Sequence, residues 1–210
     1  MPRHHRPTLT IALLAAAVTG LTGCTTTPAT PTSPTGTSVE VATPAAAIPT
    51  PAVVAPATSE SGAIRDANSS LVGYYTASFQ NGHAEGTRLE LVTPWVTGAA
   101  LQNERALATY LQQKHYRLDG APTGWNLNPS RSTATRTKNA NGIVNPFGSV
   151  QLVGCATSTN HPVGDGAPAW TKGQQFARAW TVLFDGTQRR WRVSAAVELT
   201  SKESKALACP

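Results

Sequence analysis

The stretch FARAWTVLFDGTQRRWRVSAAVEL, Phe176–Leu199, decides the fold. Trp191, Val193, Ala195, Val197 and Leu199 alternate with Arg190, Arg192, Ser194, Ala196 and Glu198. That period of two is the mark of a strand with one buried face. Upstream, Phe176, Trp180, Val182 and Phe184 run into Asp185-Gly186, a hairpin signal between two strands. The pair therefore predicts an antiparallel hairpin at the end of the chain.

Working backwards, residues 159–169 read as a polar Gly/Pro loop. Residues 148–158 read as a further strand, with Val150 and Leu152 on it. Asn139 to Gly142 reads as a turn, and 123–137 as a weak strand. Before Gly120 the period changes. Ala63, Ala67, Leu71, Tyr75 and Phe79 recur every four residues, which predicts a helix over 61–81 stopped by Asn81-Gly82. A short helix over 85–93 is expected to end near Pro94. A third over 98–115 carries Leu101, Leu107, Tyr110 and Leu111 on one side, with Thr97 as its N-cap. Helices first and an antiparallel sheet afterwards define an α+β class.

The front of the chain is of another kind. A basic start with Arg3 and Arg6 precedes the apolar stretch Leu9 to Leu21, then Leu21-Thr22-Gly23-Cys24. A spanning helix needs about 20 apolar residues, more than this stretch has, and a signal h-region is shorter. The four residues match the lipobox of bacterial lipoproteins: aliphatic, small, small, cysteine. That resemblance implies signal cleavage between Gly23 and Cys24 and a diacylglycerol thioether on Cys24, whose thiol is the necessary nucleophile. Two acyl chains hold a protein at a membrane where one binds only reversibly. The expected address is the extracytoplasmic face of the cell membrane, and palmitate-type acylation goes with it.

Residues 1–23 are thus read as signal and 24–58 as tether. Thr, Pro and Ala supply 25 of the 34 residues from 25 to 58, and Glu40 is the only charge there. Such a segment buries too little to offset its backbone entropy, so a disordered linker is expected. Residues 59–210 form one domain of ordinary size, with five tryptophans for its core and a net charge of 15 − 10 = +5. Of the three cysteines, lipidation of Cys24 leaves Cys155 and Cys209. In an oxidising compartment an even pair reads as a disulfide tying a strand to the C-terminal tail. The alternative is two buried free thiols; the spacing does not suit a zinc site.

The domain resembles the nuclear transport factor 2-like (SnoaL-like) cone of small actinobacterial lipoproteins. Three features carry the likeness: the helix bearing Tyr74-Tyr75 and Phe79, the strand Val150 to Cys155, and the hairpin closing on Trp191-Arg192-Val193. The resemblance implies helices packed on a curved, cone-like antiparallel sheet. It also implies a cysteine pair placed like Cys155 and Cys209. It does not imply one function, because that fold hosts enzymes, binding domains and scaffolds alike.

Candidate chemistry is sparse. An enzyme on this scaffold points acids, His or Tyr into the cone; Tyr74, Tyr75, His115 and Asp119 are the candidates. Simpler readings compete: Tyr75 as core, Asp119-Gly120 as a turn. His161 and Asp165 are four apart, but a metal site needs three or four ligands. They read first as loop residues, as do His83 and Glu85. Arg178, Arg190 and Arg192, with Arg189 and Lys172, would give the hairpin a basic patch for an anionic partner, against the plainer reading of a solvated face. Trp170 and Trp180 are core by default and a ligand-facing wall otherwise.

The expectation is therefore a lipid-anchored envelope protein whose domain binds or scaffolds an envelope protein or polymer. It is expected to have no catalytic set, cofactor, metal or nucleic-acid partner. The alternatives are a small-molecule-binding or enzymatic cone (isomerase- or dehydratase-like) and a binder of anionic envelope polymer.

Overall fold

The structure, a computed structural model, describes residues 50–139, 141–169 and 173–209. The helices are α1 (Glu60–His83), α2 (Gly98–Lys114) and α3 (Ser201–Leu207). The strands are β1 (Arg117–Asp119), β2 (Gly124–Leu127), β3 (Thr133–Lys138), β4 (Val144–Ser158), β5 (His161–Val163), β6 (Gln174–Asp185) and β7 (Arg190–Glu198). The class is α+β. The expected signal, Cys24 and the expected tether up to residue 49 lie outside the described residues.

The sheet is built on β4. β6 pairs with it along one side and β7 pairs with β6, all antiparallel. On the other side two short strands share its length: β3 pairs with Ser149–Gln151 and Val144–Asn145, β2 with Gly154–Thr157. The weak strand expected over 123–137 is thus two strands. Pro129 has no N–H to give a ladder, and a single 3-10 turn, Pro129–Arg131, separates them. Ser132 spans the gap, its Oγ accepting from Val153 N at 3.2 Å. The sheet stays open and does not close into a barrel or cone. A second small sheet pairs β1 with β5, and β5 lies inside the 159–169 segment expected to be loop.

α1 begins at Ser59, whose Oγ accepts from Gly62 N at 3.1 Å. Its stripe Ala63, Ala67, Leu71 and Tyr75 is buried against Val150, Leu152, Trp180, Val182, Trp191 and Val193 of the sheet, while Val72 faces out. Gly73 lies in mid-helix, where glycine is otherwise costly. A Cβ there would collide with the indole of Trp95, which rests on the bare helix backbone. The helix expected over 85–93 is reduced to a 3-10 turn at Leu89–Leu91. Glu85 and Gly86 both have positive φ and so end α1 with a reversal that no right-handed helix can follow at once.

α2 follows, but Thr97 does not cap it with its side chain. Its backbone is used instead: Thr97 N donates to Val193 O, and Val193 N to Trp95 O, so residues 95–97 lie along the edge of β7. The buried face of α2 is Ala100, Glu104, Ala108 and Leu111, with Tyr110 exposed. This differs from the expected stripe by a fraction of a turn and carries a carboxylate inward. Residues 50–58, placed in the tether by composition, lie against the domain: Val54 N donates to Arg189 O at 2.8 Å, and Val54 and Ala57 pack on the core.

Candidate functional site

Glu104 is the buried carboxylate of the domain, 4% exposed. Tyr74 Oη donates to its Oε1 at 2.8 Å, and Ser78 Oγ lies 3.0 Å from each carboxylate oxygen. The three side chains latch α2 to α1. Burial pushes the Glu104 carboxyl up from the ordinary carboxylate range, and the hydrogen bonds from Tyr74 and Ser78 offset part of that. Burial also holds the Tyr74 phenol well above its ordinary value, reinforced by the adjacent Glu104. Tyr74 therefore remains a donor. Two hydroxyls already hold this carboxylate, and it lines none of the three surface clefts described below.

Next along α1, Tyr75 Oη accepts from Trp180 Nε1 at 2.7 Å and from Arg178 Nη1 at 3.3 Å. The Arg178 guanidinium also lies 4.6 Å from the Phe176 ring centroid. Trp125 closes this aromatic group, its ring 5.3 Å from that of Tyr75 and its Nε1 donating to Asn68. The arrangement serves packing: Tyr75 Oη takes both the Trp180 indole and one Arg178 nitrogen, while the buried Arg178 Nε has no partner.

The four sequence candidates for catalysis are not brought together. Tyr74 and Tyr75 are buried in separate hydrogen-bonded groups. His115 is the exposed, left-handed residue that ends α2. Asp119 accepts from Gly120 N in a turn. His161 sits on β5 with Nδ1 3.3 Å from Thr159 O. Among the described residues no group of three His, Cys, Asp or Glu could hold a metal ion. Trp180 is fully buried, and Trp170 and Lys172 lie outside the described residues.

The three arginines of the expected basic patch do not share a face. Arg178 lies on the α1 side with Trp180 and Tyr75. Arg190 pairs with Asp185 and Arg192 with Leu183 across the hairpin, on the face opposite Trp191 and Val193. Arg192 is consumed structurally: Nη2 donates to Val96 O and Thr93 O, and Nη1 lies 3.4 Å from Asp185. It pins the segment before α2 to the sheet. Sequence reasoning missed Glu104, although Ala100, Glu104, Ala108 and Leu111 follow a helical spacing that places it among apolar residues.

Cys155 and Cys209 are joined by a disulfide, with a Cα separation of 5.5 Å. It holds the C-terminal tail to β4, just after α3. α3 itself starts on a capping box in which Thr200 and Glu203 satisfy each other's backbone N–H.

The clefts on the surface of the described residues include three of similar size. One of about 270 Å³ lies between Thr50–Val54, Asp66, Trp95 and Arg190. Another of about 360 Å³ lies beside the disulfide, lined by Asn126, Asn128, Gln175 and Leu207. The third, about 350 Å³, is bounded by Pro56, Ile143, Val144, Phe184 and Arg189. All are at the small end for ligand sites. None is lined by Tyr74, Ser78 or Glu104. The first has one titratable acid, Asp66, beside an arginine that never gives up its proton.

No family model matches this chain. No curated protein matches it. Among solved structures, the intermembrane-space region of the chloroplast protein ARC6 is similar over 66% of this chain and 97% of that chain, at 14% identity and a TM-score of 0.37. A superposition that loose supports no inference about function.

Proposed function

We propose that the chain is an exported lipoprotein, anchored through Cys24 at the extracytoplasmic face of the membrane, whose domain binds or scaffolds a partner and does no chemistry. The observation that carries this reading is the Cys155–Cys209 disulfide. It suits an oxidising compartment and takes two of the three cysteines, leaving Cys24 behind Leu21-Thr22-Gly23 for the lipid. The non-catalytic half is supported by the closure of the Glu104 group and by clefts without an acid–base pair. The order of two helices followed by an antiparallel sheet supports a nuclear transport factor 2-like domain, in a variant whose sheet remains open.

Fractionation of a bacterial host tests the address. The parent is expected in the membrane pellet and released only by detergent. Cys24→Ser is expected as uncleaved precursor or as protein shed to the medium. A Cys24→Ser product that is processed and pelleted like the parent would overturn the reading.

A further inference from the structure

Six large apolar side chains stand exposed among the described residues, and three of them, Val53, Ile143 and Val144, belong to one end of the domain. Ile143 is 66% exposed and Val53 68%. Ile143 and Val144 form the far end of the β3–β4 hairpin, where Lys138 pairs across to Val144. Val53 lies on the segment that Val54 ties to Arg189, in the β6–β7 turn. The cleft between these parts is bounded by Ile143, Val144, Pro56 and Arg189 and has no acidic residue in its lining. Exposed Arg189 lines it, exposed Lys138 pairs across to Val144, and exposed Arg136 lies two residues before Lys138 on β3. Asp185, the nearest acid in the turn, is engaged by Arg192 and by the N–H groups of Thr187 and Gln188.

We propose that this end is a membrane-docking surface, which sets Ile143, Val144 and Val53 into the headgroup layer of an anionic bilayer while Arg136, Lys138 and Arg189 meet lipid phosphates. Two observations favour a bilayer over another occupant. Apolar tips ringed by cations match the layered chemistry of an anionic membrane interface. The segment leading into α1 also passes this end, with Val54 tied to Arg189 and Pro56 in the cleft, while Thr50 itself lies in the first cleft beside Asp66. The proposal rests on the lipoprotein reading for which membrane is met, but the surface itself is independent of the lipid. Cys24 and Thr50 are separated by 25 residues. An anchor so few residues away would raise the local concentration of membrane at even a weakly binding surface. Docking would fix which face of the domain looks away from the membrane: the one bearing α3 and the disulfide cleft is not at this end.

The test uses the chain from residue 24 to 210 carrying Cys24→Ser, so that no acyl group contributes. It is sedimented with vesicles of phosphatidylcholine alone and of phosphatidylcholine with phosphatidylglycerol. Binding is expected to the anionic vesicles, weakening as salt rises. Ile143→Ser with Val144→Ser, and separately Lys138→Glu with Arg189→Glu, are expected to weaken it at least about tenfold, since each cation near an anionic surface contributes about fivefold. All four side chains are exposed, so the fold tolerates the changes. Val72→Ser, on the outer side of α1, is expected to leave binding unchanged. Absence of vesicle binding, equal binding to both vesicle types, or equal loss in Val72→Ser would overturn the proposal. So would a dimer abolished by the Ile143/Val144 variant without any vesicle binding, which would assign the patch to a second copy. Failure here leaves Cys24 lipidation standing, and failure of Cys24 labelling leaves this result standing.

Discussion

At the scale of single residues, Glu104 is the most consequential side chain in the domain. Because burial raises its carboxyl above the ordinary range, the folded state holds that proton more tightly than the unfolded chain does. Ionising it therefore costs stability as pH rises from about 4.5 through the raised value. Glu104→Gln keeps an acceptor for Tyr74 and removes the charge. It is expected to match or exceed the parent in urea stability at neutral pH, and to flatten the stability profile just above 4.5. Glu104→Ala strands the buried Tyr74 hydroxyl and the half-buried Ser78 hydroxyl and opens a void, a loss of about 2–4 kcal/mol. A Gln variant as unstable as the Ala variant at neutral pH would show that the charge itself holds the helices together. Gly73 gives a second residue-scale expectation. Alanine is the better helix former by about 1 kcal/mol, yet Gly73→Ala drives a methyl into Trp95 and is expected to destabilise by about 1–3 kcal/mol. A melting temperature at or above the parent's would mean that Trp95 can move aside. Glu104 illustrates why single residues are hard to foresee. Its spacing from Ala100 and Ala108 is visible in the sequence, but a carboxylate on an apolar stripe makes sense only once Tyr74 and Ser78 are seen across the helix pair.

At the scale of elements, the disulfide and α3 work as one clasp. α3 is only seven residues long and buries no residue fully, so packing alone does little to hold it. The bond to Cys155 closes a loop of 54 residues, for which the chain-entropy estimate is about 4 kcal/mol. Cys155→Ala with Cys209→Ala, or reduction, is expected to lower the melting temperature by roughly 10 °C. Early loss of protection in the tail is expected by hydrogen exchange. Unchanged melting under reducing conditions would contradict this. The elements legible in the sequence are those with one dry face. α1 shows a four-residue stripe and β7 a strict alternation, and both fold nearly within the residues that the pattern marks. The segment over 85–93 has no such stripe, and its positive-φ pair at Glu85 and Gly86 leaves room for one 3-10 turn. The break at Pro129 was available from the sequence as a missing N–H, but the way Ser132 bridges it depends on β4 being long enough to serve two partners. β1 and β5 are three residues each, too short for a period to register. α3 announces itself only through Thr200 and Glu203.

At the scale of the whole molecule, the account joins an address to a platform. α1 and α2 cover one side of an open sheet. Along that seam Tyr74 and Ser78 hold Glu104, and Tyr75 takes Trp180 and Arg178, while Trp191 Nε1 and Arg178 Nε are buried without a partner. The end where Thr50–Ala57 crosses the β6–β7 turn carries the exposed apolar tips and the cations, and α3 with its disulfide clasps β4 and β6 elsewhere. The proposed address rests on Leu21 to Cys24, residues that a lipoprotein signal peptidase would read in extended chain, before anything folds. A partner is not legible in the sequence, and among the described residues no group of three His, Cys, Asp or Glu could hold a metal ion. The most direct measurement of the central claim is mass spectrometry of the N-terminal peptide of the mature protein, after growth with an alkyne analogue of palmitate. The account predicts a peptide beginning at Cys24, carrying a diacylglycerol mass and the alkyne label. A mature protein that begins elsewhere, or begins at Cys24 with a free thiol and no label, would contradict it.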